Sequence, residues 1–279
     1  MTAASEICAD CGAALRGPYC SQCGQKRLED HDRRLGALLM DFLAEVFEWD
    51  SRWWRSLLAL VFRPGRLSRA WLEGRRTRYV KPVTLFLLAN FLYFFAPGIS
   101  DFDLPLRDQM NHSHFGMTSE WVDRRIAARH AADPHYTLAG YETAYDARAD
   151  SIGKIIIVLH VPFLALALLL LFWRTPYYYA EHFAVALHLF AFLLLFVQIF
   201  GWTLNVLGWI IDSSVRFDLG LRLILLTTIV GYCAVALRRA YLCRWLYAVP
   251  AAGVAFAVLL ATDLFVYRTV QFVVTFALT

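Results

Sequence analysis

The chain has 279 residues, 59% of them hydrophobic and 15% aromatic, with 18% charged and a formal net charge of +4. A soluble domain of this length carries a larger charged share and does not gather its apolar residues into long runs, so a wholly soluble globular protein is excluded. With a mean hydropathy of +0.47, the composition predicts a multi-pass membrane protein, in which the placement of the charges matters more than their sum.

The first element is CADCGAALRGPYCSQCG, residues 8–24. Cys8, Cys11, Cys20 and Cys23 make two C-x2-C hooks separated by eight residues. Four thiolates at this spacing close a tetrahedral S4 site with no open position, the arrangement of one structural zinc ion. Gly12 and Gly24 follow the hooks, where positive φ lets the backbone curl and aim amide N–H groups at sulfur. A module of this size has no core of its own, so the metal supplies most of its folding energy. Iron in the same ligand set, and two disulfides, are the competing readings. The first 34 residues are polar and lack the apolar stretch of a cleavable signal peptide.

Residues 25–34 form a charged linker. Beyond it Leu35, Leu38, Leu39, Phe42, Val46, Trp49, Trp53, Leu57 and Leu60 recur at three- and four-residue intervals, opposite Asp41, Glu45, Glu48, Arg52 and Arg55. That pattern predicts an amphipathic helix lying in the membrane interface or packed on the membrane bundle, too charged at its middle to cross. Pro64-Gly65 ends it. The following stretch to Pro82 carries Arg66, Arg69, Arg75, Arg76, Arg78 and Lys81 against one acid, Glu73. Immediately before an apolar run this basic elbow marks a cytosolic flank, with Arg75, Arg76, Arg78 and Lys81 at lipid headgroups. Nucleic-acid binding by the same cations ranks last.

Five apolar runs follow, near 82–98, 153–173, 183–205, 219–237 and 245–267, each close to the ~20 residues a spanning helix needs. Segment 99–151 holds nine acidic and five basic residues, whereas Arg238, Arg239 and Arg244 make the last inter-helix connection basic. The positive-inside rule then places the N-terminus in the cytosol, 99–151 outside and the C-terminus outside. The fold class expected is an all-α integral membrane protein. It comprises a zinc ribbon (1–27), a linker, amphipathic helix and basic elbow (28–81), and a five-span domain (82–279) with an extracytoplasmic loop at 99–151. The reducing cytosol is where four free thiolates hold a metal.

The ribbon with Tyr19 before Cys20 and Gln25 after Gly24, together with the elbow Gly74-Arg75-Arg76-Thr77-Arg78-Tyr79-Val80-Lys81-Pro82, resembles a bacterial family of uncharacterised membrane proteins, domain of unknown function 3667. Glu181-His182-Phe183 with His188 is similar to that family's E-H…H segment, which marks these three polar residues as functional candidates. The resemblance implies a bacterial inner-membrane location and this architecture, and no reaction.

Polar side chains at bilayer depth are costly and point to function or to inter-helix hydrogen bonding. By depth, His160, Gln198, Asn205, Arg222 and Asp263 fall in the outer half, and Glu181, His182 and His188 in the inner. An Arg222–Asp263 ion pair is expected, and Pro162 and Pro250 are expected to interrupt their spans. His112, His114, His130 and His135 lie in 99–151, where residues 119–132 predict a helix capped by Ser119 and stopped by Pro134. No nucleophile elbow, nucleotide loop or H-E-x-x-H motif is present. The leading expectation is a membrane protein whose cytosolic zinc ribbon captures a protein partner or regulates the membrane part. The alternative is a membrane-embedded enzyme or transporter acting on a lipid or small hydrophobic solute through His160, Asp263 and Arg222.

Overall fold

The computed structural model describes residues 7–27, 52–95, 138–211 and 219–278, with single positions at Leu106, Arg124, Ala127, Ala128 and Ala131. Residues 28–34 of the linker, residues 35–51 of the amphipathic helix and the four loop histidines lie outside the described residues. Arg124, Ala127, Ala128 and Ala131, which fall within the expected 119–132 helix, are helical.

Among the described residues the protein is all-helical apart from two isolated bridges, Ile7 with Ala14 and Tyr19 with Lys26. The helices are α1 (Arg52–Phe62), α2 (Arg66–Leu72), α3 (Pro82–Phe95), α4 (Leu138–Ile156), α5 (His160–Leu171), α6 (Tyr179–Ile211), α7 (Leu219–Tyr241), α8 (Trp245–Ala261) and α9 (Arg268–Leu278). A 3-10 turn, Ile157–Leu159, joins α4 to α5, and a π-helical turn, Thr262–Tyr267, joins α8 to α9. Four stretches are long and apolar enough to cross a membrane: Gly140–Leu171, Tyr179–Leu207, Gly220–Tyr241 and Trp245–Leu278. The first expected span is the shorter apolar helix α3, 14 residues as described.

Two helical stretches extend beyond the apolar runs 153–173 and 245–267. The helix before His160 begins at Leu138, well ahead of the apolar run, because its polar N-terminal part has a partner. Tyr141, Tyr145 and Ala149 form a buried cluster with Leu106, Phe272 and Phe276. Those three recur every fourth residue and so share a face, and Asp150 and Lys154 add an i,i+4 pair at 2.6 Å. The last helix runs to Leu278, since α9 supplies the other half of that cluster. Pro250 sits inside continuous α8, whereas the irregular turn falls twelve residues later. Pro162 does have a local effect. It lacks the N–H that would bond Val158, and the 3-10 turn lies just before it.

The chain divides into two compact units: residues 1–99 with 161–259, and residues 100–160 with 260–279. In the first unit α3 packs along α6, with Phe86 and Phe190 stacked at 6.0 Å. Helix α2 lies across α6, where Trp71 is buried against Ala180 and Ala184. The α1–α2 corner is set by Gly65 at φ +77. A Cβ there would lie 2.9 Å from both Ala236 Cα and Arg239 Cβ, so only glycine brings the corner this close to α7. Helix α1 buries Ser56, Ala59 and Leu60 and leaves Trp54, Leu58 and Phe62 exposed.

Candidate functional site

The two hooks fold alike because they have the same sequence pattern. Cys8 N donates to Ala13 O and Cys20 N to Gln25 O, both at 2.8 Å; Gly12 N donates to Cys8 O and Gly24 N to Cys20 O, both at 2.9 Å. Gly12 and Gly24 take φ of +77 and +73, the left-handed turn expected of them. The four sulfur atoms lie within 4.8 Å of one another, with Cys8–Cys23 and Cys11–Cys20 each at 3.5 Å. Tetrahedral Zn–S bonds of ~2.3 Å require sulfurs about 3.8 Å apart, so this donor set fits one metal ion.

The thiols of the cluster differ in how readily they ionise. Backbone hydrogen bonds from Cys23 and Gln22 lower the Cys20 thiol to about 6. Burial, which outweighs the Gln25 backbone hydrogen bond, and the neighbouring thiols push Cys23 up to about 12. One thiolate forms readily; further negative charge at such short range needs a cation to offset it.

The module is seated on the elbow. Helix α2 ends in a Schellman turn: Gly74, at φ +79, donates to Trp71 O at 3.0 Å and Arg75 N donates to Ala70 O at 2.9 Å. The Gly74 carbonyl accepts from buried Gln25 Nε2, and Thr77 Oγ1 donates to Asp10 Oδ2 at 2.7 Å. These partners join the cysteine module to the Gly-Arg-Arg-Thr stretch, a link for which residues separated by 49 and 67 positions give no local signal.

The elbow cations have separate positions. Arg75 pairs with Glu73, Arg76 lies over the Trp71 ring at 4.4 Å, Arg78 is exposed and Lys81 is half-buried.

Glu181, His182 and His188 are all buried in the first unit. Glu181 Oε2 accepts from Tyr178 N at 2.9 Å, which is the N3 carboxylate of a helix cap reaching back to the residue before α6. His182 Nδ1 meets Tyr241 Oη at 2.7 Å, and His188 Nδ1 meets Ser68 Oγ at 3.2 Å. The two histidines thus tie α6 to α7 and to α2. Sequence reasoning singled out the histidines and missed Ser68 and Tyr241, which carry no pattern of their own.

In the second unit His160 and Asp263 come together: Nε2 lies 3.8 Å from Asp263 Oδ1. His160 Nδ1 is 2.9 Å from Ile157 O. A carbonyl only accepts, so Nδ1 carries a proton and Nε2 faces the carboxylate. The cation on Asp263 is Arg268 of the same chain segment, Nε at 3.2 Å, not expected from depth alone because the π-turn changes the helical register. Arg222 belongs to the first unit and is exposed on α7.

No curated protein and no solved structure is similar enough to this chain to match it. Residues 50–94, a stretch that includes α1, the Gly65 corner, α2, the Gly74 cap and most of α3, match a family described as a protein of unknown function, DUF3667, and over that stretch the chain is similar to this family.

Proposed function

We propose that the protein is a five-span inner-membrane protein of a bacterium, N-terminus in the cytosol, whose N-terminal cysteines hold one structural zinc ion in a ribbon that regulates the membrane part or captures a cytosolic protein. The observation that carries this reading is the seating of the four-sulfur cluster on the elbow through Gln25 and Asp10. A metal that sets the fold of the hooks thereby sets what Gly74 and Thr77 touch. Ile7 and Tyr19 are exposed apolar side chains on the module, surface suited to a protein partner. Membrane lipids are the partners of the elbow cations. The fifth span is the apolar run at 82–98, to which α3 belongs, and the basic connections on either side of the apolar helices support the orientation.

The test is elemental analysis of the detergent-purified full chain, combined with Cys8→Ser/Cys20→Ser and a photo-crosslinking residue at Tyr19. One zinc per chain, lost in the double variant with membrane insertion intact, and a cross-link to one cytosolic protein that also disappears, is the expected result. Zinc-free protein, or loss of insertion in the double variant, overturns it.

A second reading, a membrane enzyme or transporter, is favoured by one observation: a buried histidine faces a carboxylate beside a π-helical turn, a backbone irregularity frequent at functional sites. A double-mutant cycle on His160→Gln and Asp263→Asn, read as stability and as uptake or turnover of lipid analogues, tests it. Variants that stay folded but lose transport or turnover support this reading; a coupling energy of about 1 kcal/mol in stability alone makes the pair structural.

A further inference from the structure

The basic segments at 63–75 and 238–239 are far apart in sequence, but both contribute to one cleft. Six arginines line it: Arg63, Arg66, Arg69 and Arg75 from the α1–α2 region, and Arg238 and Arg239 from the last turn of α7. The Gly65 corner makes this convergence, since it lays the start of α2 directly on Ala236 and Arg239. The cleft has a volume of about 670 Å³, within the ~300–1,000 Å³ of small-molecule sites and much more than one phosphate group requires.

Five of the six guanidinium groups have fixed partners, Arg238 lying over the Trp245 ring at 4.8 Å. Arg69 Nε donates to Glu73 Oε1 at 2.6 Å and its Nη1 to Ala240 O at 3.2 Å. Arg75 pairs with the same Glu73. Arg66 Nε donates to Tyr79 Oη at 3.1 Å, and Arg239 Nη1 to Pro64 O at 3.3 Å. Among the described residues Glu73 is the carboxylate that pairs with the cluster, so there six positive charges meet one negative charge. Guanidinium groups keep their charge under physiological conditions, and crowding them is unfavourable until an anion with several oxygens bridges their N–H forks. Exposed Phe62 and Leu242 also line the cleft. It stands at the end of α7, where a 22-residue apolar stretch stops at Tyr241. That is the depth at which a lipid places its phosphate and the first carbons of its chains.

We infer that this arginine cleft is a binding site for a phosphate-bearing anion, either the headgroup of an anionic phospholipid or a soluble polyphosphate compound. The site is independent of the zinc reading. It rests on the membrane reading only for the choice of the lipid probe, and the soluble probe tests the cleft without it.

Cys243 also lines the cleft and serves as the reporter. The full chain in phosphatidylcholine nanodiscs is titrated separately with dioctanoyl phosphatidylglycerol and with inorganic pyrophosphate, and alkylation of Cys243 by neutral iodoacetamide is followed by peptide mass spectrometry. The expected result is saturable slowing of alkylation by at least one probe. Arg63→Gln/Arg238→Gln should weaken that protection roughly tenfold, while Arg78→Gln/Arg244→Gln, which removes the same charge from exposed positions outside the cleft, should leave it within about threefold. Protection by the lipid alone assigns a headgroup site, and protection by pyrophosphate alone or equally by both assigns a phosphate site open to soluble compounds. No saturable protection by either probe at millimolar concentration overturns the inference, as does equal weakening in the control pair. Should the glutamine pair not fold, Arg63→Lys/Arg238→Lys replaces it under the same criterion, because lysine keeps the charge and loses the planar fork.

Discussion

Gln25 donates its side-chain amide to the backbone carbonyl of Gly74, and that single hydrogen bond connects the end of the second cysteine hook to the cap of α2. Gln25 is buried, at 6% exposure, so the bond is shielded from competing water. The Gly74 carbonyl is available because Gly74 occupies the left-handed position of the Schellman turn, where its own N–H is already used within the helix end.

Gln25→Ala should therefore loosen the module without emptying its metal site. A buried hydrogen bond contributes about 1 kcal/mol, which corresponds to roughly fivefold faster tryptic cleavage after Lys26 and Arg27. Metal content should not change. Loss of metal in this variant would mean that the seat and the site fold as one unit.

Gly65→Ala should be among the most damaging small substitutions in the chain. It forces a Cβ into the left-handed region and against Ala236 and Arg239 at 2.9 Å, for a combined cost of about 2–4 kcal/mol. Gly231→Ala and Gly253→Ala, where a Cβ meets nothing within 4 Å, should be neutral or slightly stabilising. Thermal unfolding of the three variants in one detergent decides the comparison.

Glu181 separates a structural from a chemical role. As the carboxylate that caps α6 it should tolerate Glu181→Gln, which still accepts from Tyr178 N, and lose about 1 kcal/mol on Glu181→Ala. A catalytic carboxylate would lose function in both variants while stability stayed level.

In the metal-stripped chain the four thiols should differ in reactivity. With Cys20 lowered to about 6 and Cys23 raised to about 12, Cys20 is mostly thiolate at pH 7 and Cys23 mostly thiol. Iodoacetamide at pH 7 should label Cys20 faster than Cys23 once the hooks admit the reagent, and labelling of Cys20 should fall as the pH drops through 6. Uniform labelling of all four would mean that the hooks open when the metal leaves.

Much of the local architecture was legible in the sequence. The hooks and their positive-φ glycines, the stop at Pro64-Gly65 and four apolar helices follow from spacing, turn chemistry and hydropathy, each acting over a few residues. Local reasoning failed where a distant partner changes the outcome. The polar stretch from Leu138 is helical because Tyr141 and Tyr145 are buried with Phe272 and Phe276, some 130 residues away. Pro250 was expected to break its span and does not, while the π-turn at Thr262–Tyr267 has no breaker residue to announce it.

By itself the sequence determined that the chain is helical and apolar, with four cysteines spaced to hold one metal ion, because those properties reside in period and spacing. Only the tertiary structure decided which polar groups meet. His188 finds Ser68 across 120 residues, Arg69 reaches Ala240 across 171, and six arginines from two separate basic stretches line one cleft. Hydrogen bonds and charges at those separations depend on how helices pack, and helix packing is settled by the shape of whole faces, such as the bare Gly65 against Ala236, rather than by any local run of residues.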